Sequence, residues 1–168
     1  LDDPDWILQP AIQPVLAAMA RHGLVFDALI QPVHLPRMLA LTQAHPDLTV
    51  VVDHGAKPVI DPQALPHWAQ AMAQLARQSD PARVVCKLSG LWTEAPKGQP
   101  VQAVRPWCET LLAIWGPQRL LWGSDWPVLE LAGAYDAWRE LSLEVLAPLT
   151  APERQAVLGG NARRIYQL

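Results

Sequence analysis

Short apolar segments alternate along the chain with longer amphipathic ones, and prolines and glycines separate the two kinds. Four of the apolar segments are typical of strands, and they lie near residues 25–31, 48–53, 84–89 and 119–123. The second is the clearest, because its run of valines disfavours a helix. The pattern therefore predicts four short strands that are buried on both faces.

Amphipathic segments lie before and between the strands and after the last one, and they predict helices. They cover residues 14–22, 36–44, 64–78, 101–115 and 135–146. One or two further short helices are predicted near the C-terminus, where Thr150 and Glu153 have the spacing of a capping box.

Strands that alternate with helices predict a parallel α/β sheet covered by helices. Two architectures fit this order, a doubly wound open sheet and part of a TIM (β/α)8 barrel. A whole barrel needs about 250 residues and eight strands, so the 168 residues here could supply only half of one. Half a barrel would have sequential strands with helices on one face, whereas a doubly wound sheet has helices on both faces.

Composition and charge narrow the range of partners. The chain is 51% hydrophobic and 17% charged, which is enough apolar material for a packed core. The net charge of −3, without a long basic stripe, argues against nucleic acid as the main partner, and no apolar run is long enough to predict a membrane span. We expect a small-molecule substrate, with a homo-oligomer left open. Cys86 and Cys108 lie in apolar surroundings without CxxC spacing, which predicts buried, reduced thiols in a cytoplasmic protein.

Polar residues stand at the end of every predicted strand. His34 follows the first strand, His54 follows the second and Asp125 follows the fourth, while the third ends in Lys87 and Ser89. In parallel α/β folds, catalytic groups sit at the carboxyl ends of the strands. The sequence therefore predicts that these side chains share one site.

Each of these residues also has a purely structural interpretation. His54 could bond to backbone in a turn, and Asp125 could cap a helix, but their positions at strand ends favour a cleft. His34 is evenly balanced between a site role and a position flanking the next helix. Lys87 could bind an anion or pair with a carboxylate, because a lone lysine is costly to bury. Asp53 is expected to be a structural hydrogen-bond acceptor.

Tryptophans divide into two groups by position. Trp92 and Trp126 lie just past strand ends, so we expect them to line a small-molecule pocket. Trp107 and Trp115 lie within a predicted helix, so we expect them to pack in the core.

Several segments, in this order along the chain, resemble the second half of the amidohydrolase-related (amidohydrolase 2) family, and are nearest to its L-fuconolactonase-like lactonases. The segments are FDALI (26–30), HLP (34–36), VDHGAKP (52–58), CKLSGL (86–91), WGSDWPV (122–128) and GNARRIY (160–166). Each motif alone is modest, but their joint order covers nearly the whole chain and is specific.

The resemblance implies that the four strands are the fifth to eighth of a TIM barrel. Residues 1–168 would then form a single partial domain, with the N-terminal half of the barrel missing. That half would carry the family's first-strand His-x-His motif, which this sequence lacks.

The resemblance also implies chemistry, namely hydrolysis of a cyclic ester such as a sugar lactone. Asp125 and His54 would be catalytic, and His34, His54 and Asp125 would hold a divalent metal such as zinc, although a metal-independent mechanism stays open. The substrate would contact Lys87, Ser89, Trp92 and Trp126. Two alternatives remain, a decarboxylase built on the same barrel and a catalytically silent half-barrel.

Overall fold

The computed structural model describes residues 3–168 and contains one four-stranded parallel sheet. Its strands are β1 (Val25–Ala28), β2 (Thr49–Val52), β3 (Val84–Leu88) and β4 (Leu120–Trp122). They lie in the order β1-β2-β3-β4, and each neighbouring pair is parallel. This sequential order is that of a barrel segment and not of a doubly wound sheet, whose strand order reverses at a switch point.

Seven α-helices accompany the strands in the described residues. They are α1 (Gln13–Arg21), α2 (Leu35–Ala44), α3 (Leu65–Gln78), α4 (Arg105–Trp115), α5 (Tyr135–Leu146), α6 (Ala151–Gln155) and α7 (Asn161–Tyr166). The five longer predicted helices are confirmed to within a few residues. The prediction for 101–115 was wrong at its start, because a 3-10 turn over Val101–Val104 precedes the helix. The capping box is confirmed, since the Thr150 side chain accepts from the Glu153 backbone N–H and the Glu153 carboxylate accepts from the Thr150 backbone N–H.

The strands are shorter than the apolar segments that predicted them. The first ends at Ala28, which pairs with Val52, and the chain then turns outward. Leu29 is consequently 64% exposed although it continues the apolar run. The run of apolar residues therefore overestimates the strand where a loop begins.

Five helices, α1 to α5, pack against one face of the sheet and form the main core. Alternate strand residues such as Val50, Val52 and Leu88 point into this core, as the two-residue period of a strand requires. The helices contribute large buried side chains, and Trp107 and Trp115 are among them as predicted. This arrangement agrees with the expectation of a barrel segment.

The opposite, inner face of the sheet carries apolar residues as well, and the short helix α7 packs against them. Val51, Val85 and Leu121 point to this inner face and pack with Ile165 of α7. The prediction of helices on one face is thus correct for α1 to α5 and wrong for α7. The physical reason is that removing the apolar residues of the inner face from water lowers the free energy of the folded state.

Both cysteines are buried and unpaired in the described structure. Burial raises the pKa of the Cys86 thiol, and it raises the pKa of the Cys108 thiol to about 12. Both thiols therefore stay protonated near neutral pH, as expected of inert core residues. Among residues 3–168, no helix combines the length and the apolar character that a bilayer crossing requires.

Candidate active site

His54 and Asp125 meet at the carboxyl end of the sheet. They follow β2 and β4, two strands that β3 separates, yet His54 Nε2 lies 3.6 Å from Asp125 Oδ1. The side chains are 19% and 13% exposed, so each is shielded but reachable. The prediction that the two residues share one end of the sheet is confirmed.

Both residues have an uncommon backbone conformation. His54 has φ 52° and Asp125 has φ 59°, which place both in the left-handed region. Residues other than glycine enter this region at a cost, and such strained positions cluster at functional sites. The turns after β2 and β4 thus hold these two side chains in an orientation that an ordinary strand end would not give.

Two buried tryptophans brace these turns, and sequence reasoning missed both. Trp68 of α3 donates its indole N–H to the carbonyl of Gly55 at 2.9 Å. Trp138 of α5 donates in the same way to the carbonyl of Gly123, also at 2.9 Å. In the sequence both residues are indistinguishable from core tryptophans, because nothing local marks an indole N–H that reaches a strand-end carbonyl.

Ser89 contacts His54 from the end of β3. Its hydroxyl lies 2.8 Å from His54 Nδ1, and the residue is only 1% exposed. Gly90 leaves room for the imidazole, since a Cβ at that position would lie 2.4 Å from Nδ1. The ring is therefore held on one side by a hydroxyl and on another by bare backbone.

Lys87 is engaged with carboxylates on the inner face. Its Nζ lies 2.9 Å from Asp27 Oδ1 and 2.7 Å from Asp53 Oδ1. The contact with Asp53 is an ion pair, but its angles are not those of a hydrogen bond. Burial acts to lower the pKa of Lys87, but the contacts with Asp53 and Asp27 outweigh it and raise that pKa. Tyr166 of α7 donates its hydroxyl to Asp27. Of the two interpretations, the structure thus shows lysine paired with carboxylates.

His34 occupies a 3-10 turn over Pro32–His34, after β1, and is buried. The backbone N–H of Gln31 donates to His34 Nδ1 at 3.1 Å, while His34 Nε2 is buried without a hydrogen-bond partner among residues 3–168. Within those residues, no three His, Cys, Asp or Glu side chains are grouped closely enough to hold a metal ion. The described residues therefore do not complete the predicted set of His34, His54 and Asp125.

The two tryptophans predicted at the pocket differ in exposure. Trp126, next to Asp125, is 63% exposed, and its indole N–H donates to Glu130 at 3.0 Å, which fixes the ring. Trp92 is buried, donates to the carbonyl of Gln99, and fills space that a Cβ on Gly133 would occupy. Of the pair, Trp126 alone is largely exposed, and it follows Asp125 directly in the chain.

Comparison with known proteins identifies the family. The family model described as Amidohydrolase (Amidohydro_2) matches residues 1–168. The chain belongs to this amidohydrolase family. The match agrees with the resemblance carried by the sequence motifs, and with the half-barrel sheet.

Several known proteins are similar to this chain over nearly its whole length. An L-fucono-1,5-lactonase of Burkholderia ambifaria is 42% identical over 172 residues, which is 100% of this chain and 58% of that protein. An L-fucono-1,5-lactonase of Burkholderia multivorans is 37% identical over 91% of this chain and 54% of that protein. A crystal structure of a Burkholderia multivorans amidohydrolase with bound zinc gives a TM-score of 0.90 at 34% identity, covering 98% of this chain and 60% of that one.

The relatives are longer than this chain, and the chain covers only part of each of them. The chain spans between one half and two thirds of the length of each of these relatives. Its four strands correspond to half of the eight that a barrel contains. The sheet is therefore half of a TIM barrel, as the resemblance implied.

Proposed function

We propose that this chain forms the C-terminal part of the active site of a hydrolase that opens a cyclic ester, a neutral sugar lactone. The observation that carries the proposal is the His54–Asp125 pair, which sits on two strained turns at the carboxyl end of the sheet. Two relatives at 42% and 37% identity are L-fucono-1,5-lactonases, which supports lactone hydrolysis for the barrel that this chain would complete.

The two side chains can divide the work of hydrolysis. Asp125 accepts a proton from the water that attacks the lactone carbonyl, as general bases do when they lie within reach of the nucleophile. His54 stabilises the negative charge that grows on the carbonyl oxygen. When the tetrahedral intermediate collapses, the ring C–O bond breaks and the proton moves to the leaving ring oxygen.

Charge pairing near the site favours a neutral lactone over a dicarboxylate. Lys57, after β2, is paired with Glu94, and Lys87 is paired with Asp27 and Asp53. A dicarboxylate would need cations free to bind it, because a buried anion without a partner is costly. In the described part of the chain, these two lysines are already neutralised.

The exposed face of Trp126 suits a sugar ring. It is held beside Asp125 by the Glu130 hydrogen bond, and a fixed aromatic face loses little freedom on binding. We assign it the role of a stacking surface for the lactone. Direct substrate contacts of Lys87, Ser89 and Trp92 remain predictions.

A metal remains a prediction as well. The support for a divalent ion, such as zinc, at His34, His54 and Asp125 is the zinc bound in the Burkholderia multivorans amidohydrolase, which is 34% identical to this chain. Residues 3–168 do not group three such ligands, and the steps described above use only Asp125 and His54. The alternative is a metal-independent lactonase in which His54 acts on the carbonyl directly.

The two buried, unpaired cysteines support a cytoplasmic location. Residues 1–168 would be one partial domain, and a homo-oligomer stays open. Two alternatives to a lactonase remain, a decarboxylase and a catalytically silent half-barrel, and the following experiment distinguishes the three.

The test joins the N-terminal four βα units of the Burkholderia ambifaria relative to this chain, which completes eight strands. Proton release is followed with neutral aldonolactones, an aromatic acid and a dicarboxylate lactone as substrates. We expect turnover of the neutral lactones, and Asp125→Asn should lower kcat by about 100-fold or more, because the amide cannot accept the proton of water. Asp47→Asn, at the opposite end of the sheet, is the matched control and should keep full activity.

Each arm has an outcome that contradicts one part of the proposal. Near-normal activity of Asp125→Asn would remove Asp125 from catalysis. Carbon dioxide release from the aromatic acid would favour a decarboxylase, and an inactive but folded chimera would favour a silent scaffold. Loss of activity with a chelator, restored by zinc, would support the predicted metal, whereas no loss would support the metal-independent reaction.

A further inference from the structure

The hydroxyl of Ser89 sits where it can decide which nitrogen of His54 carries a proton. Neutral imidazole has one N–H donor and one acceptor nitrogen, and the partner of one nitrogen sets the state of the other. Ser89 Oγ lies 2.8 Å from Nδ1, so these two atoms share one hydrogen. The question is therefore which of the two donates it.

Accounting for the buried hydroxyl answers this question. Ser89 is 1% exposed, and His54 Nδ1 is its hydroxyl's hydrogen-bond partner in residues 3–168. If Nδ1 donated, the serine hydrogen would be buried without an acceptor, which native structures avoid. If Ser89 donates, every polar atom in the contact is satisfied. The proton of His54 then lies on Nε2, on the side of Asp125.

Two glycines make this contact tight. A Cβ on Gly90 would lie 2.4 Å from His54 Nδ1, and a Cβ on Gly123 would lie 3.2 Å from the Ser89 Cβ. Both neighbours of the pair thus lack the side chain that would push the hydroxyl and the ring apart. The contact is built into the ends of β2, β3 and β4 together.

We propose that Ser89 is a positioning residue that holds His54 with its proton on Nε2, so that an N–H group faces the carbonyl oxygen of the substrate. The chemical meaning of this role rests on the metal-independent form of the lactonase function proposed above, because an Nε2 that carries a proton does not bind a metal ion. Nε2–H would donate to the developing oxyanion while Asp125, 3.6 Å away, stays free to accept the proton of water. Ser89 itself touches no reacting atom.

The direct test measures the tautomer in the 168-residue chain and needs no activity. Protein labelled with ¹⁵N-histidine is examined by long-range ¹H–¹⁵N NMR in alkaline buffer, where imidazole is neutral. His54→Gln identifies the His54 signals among the five histidines. We expect the Nε2-protonated pattern in the wild type, and an Nδ1-protonated pattern would overturn the proposal.

A second arm uses Ser89→Ala with Ser142→Ala as the matched control. Ser142 is equally buried, at 1% exposure, and its hydroxyl donates to the Trp138 carbonyl within α5. Ser89→Ala should replace the single tautomer by an averaged pair of signals, whereas Ser142→Ala should leave the His54 signals unchanged. Unchanged His54 signals in Ser89→Ala would overturn the role of Ser89.

Kinetic constants of the chimera add a measurement that distinguishes a positioning role of Ser89 from a contribution to stability alone. Ser89→Ala should lower kcat by about tenfold or more with a smaller change in KM, as loss of a ring-orienting partner does. Ser142→Ala should change neither constant. Equal effects of the two variants on kcat would reduce Ser89 to a structural residue. If the chimera hydrolyses no lactone, the NMR result still stands, so failure of the function and failure of the positioning role are distinguishable.

Discussion

At the scale of single residues, Gly90 shows how closely the site is packed. Its φ of +63° suits glycine, and a Cβ there would meet three atoms of His54 within 3 Å. Gly98 has a positive φ as well, +83°, but a Cβ on it would meet no atom within 4 Å. Adding a Cβ at Gly98 would cause backbone strain alone, whereas adding one at Gly90 would cause backbone strain and a collision with the imidazole.

We expect Gly90→Ala to lower the free energy of unfolding by about 1–3 kcal/mol more than Gly98→Ala, because only the first adds overpacking to backbone strain. Urea unfolding of the two variants, followed by tryptophan fluorescence, measures the difference. Equal losses in the two variants would mean that the His54 ring moves away at no cost. In that case the ring is not held as tightly as its contacts indicate.

At the scale of elements, polar contacts connect α7 to the inner face of the sheet. Tyr166 donates its hydroxyl to Asp27 in β1, and Lys87 in β3 pairs with the same carboxylate. Burial, together with the hydrogen bond to Asp27, raises the pKa of Tyr166 from 10.0 to about 12. The pKa of Lys87 is raised as well, because its carboxylate partners outweigh its burial.

These shifts predict loss of stability at alkaline pH. A group whose folded pKa is raised contributes stability that is complete below its unfolded pKa and is lost as pH rises through the folded value. For Tyr166 this window runs from about pH 10 to about pH 12. Urea unfolding across that window should show a steeper fall for the wild type than for Tyr166→Phe.

The matched control for this experiment is Tyr135→Phe, since Tyr135 is the other tyrosine of the chain and contacts Trp122 edge-on. It should leave the alkaline slope unchanged. An identical slope in Tyr166→Phe would show that the contact with Asp27 does not couple folding to the proton of Tyr166. Lys87 contributes in the same direction, so some slope should remain in every variant.

At the scale of the whole molecule, the sheet has two outer edges, one on β1 and one on β4. Asn161 covers part of the β4 edge by donating to the carbonyls of Leu120 and Pro117, both at 2.8 Å. A closed barrel has no edges, whereas an open edge is a template for pairing with another chain. In residues 3–168, the outer edges of β1 and β4 are therefore open to pairing, apart from the part of the β4 edge that Asn161 covers.

We expect the isolated 168-residue chain to show no measurable lactonase turnover and to associate in solution. Catalysis requires groups held to within about 1 Å, and half a pocket wall cannot position a lactone between His54 and Asp125. Light scattering coupled to size exclusion, together with the proton-release assay, checks both expectations. Robust turnover by a monomer would contradict them, and the eight-strand chimera is the control that should be active.

The sequence by itself determined the order of the elements, and it predicted that His54 and Asp125 share one end of the sheet. Apolar runs and amphipathic segments are local patterns, so they placed four strands and five long helices within a few residues of their observed bounds. The same local reasoning put His54 and Asp125 at strand ends, where a parallel sheet brings such residues to one edge. The resemblance then identified the barrel, which the family match confirmed.

Only the tertiary structure decided which partners the polar groups have. Ser89 and His54 are 35 residues apart, and Tyr166 and Asp27 are 139 apart, so no periodicity links either pair. The sequence left Lys87 open between two interpretations because pairing depends on which carboxylates the sheet register brings beside it. Contacts between distant segments are set by packing of the whole molecule, and a local pattern carries no information about them.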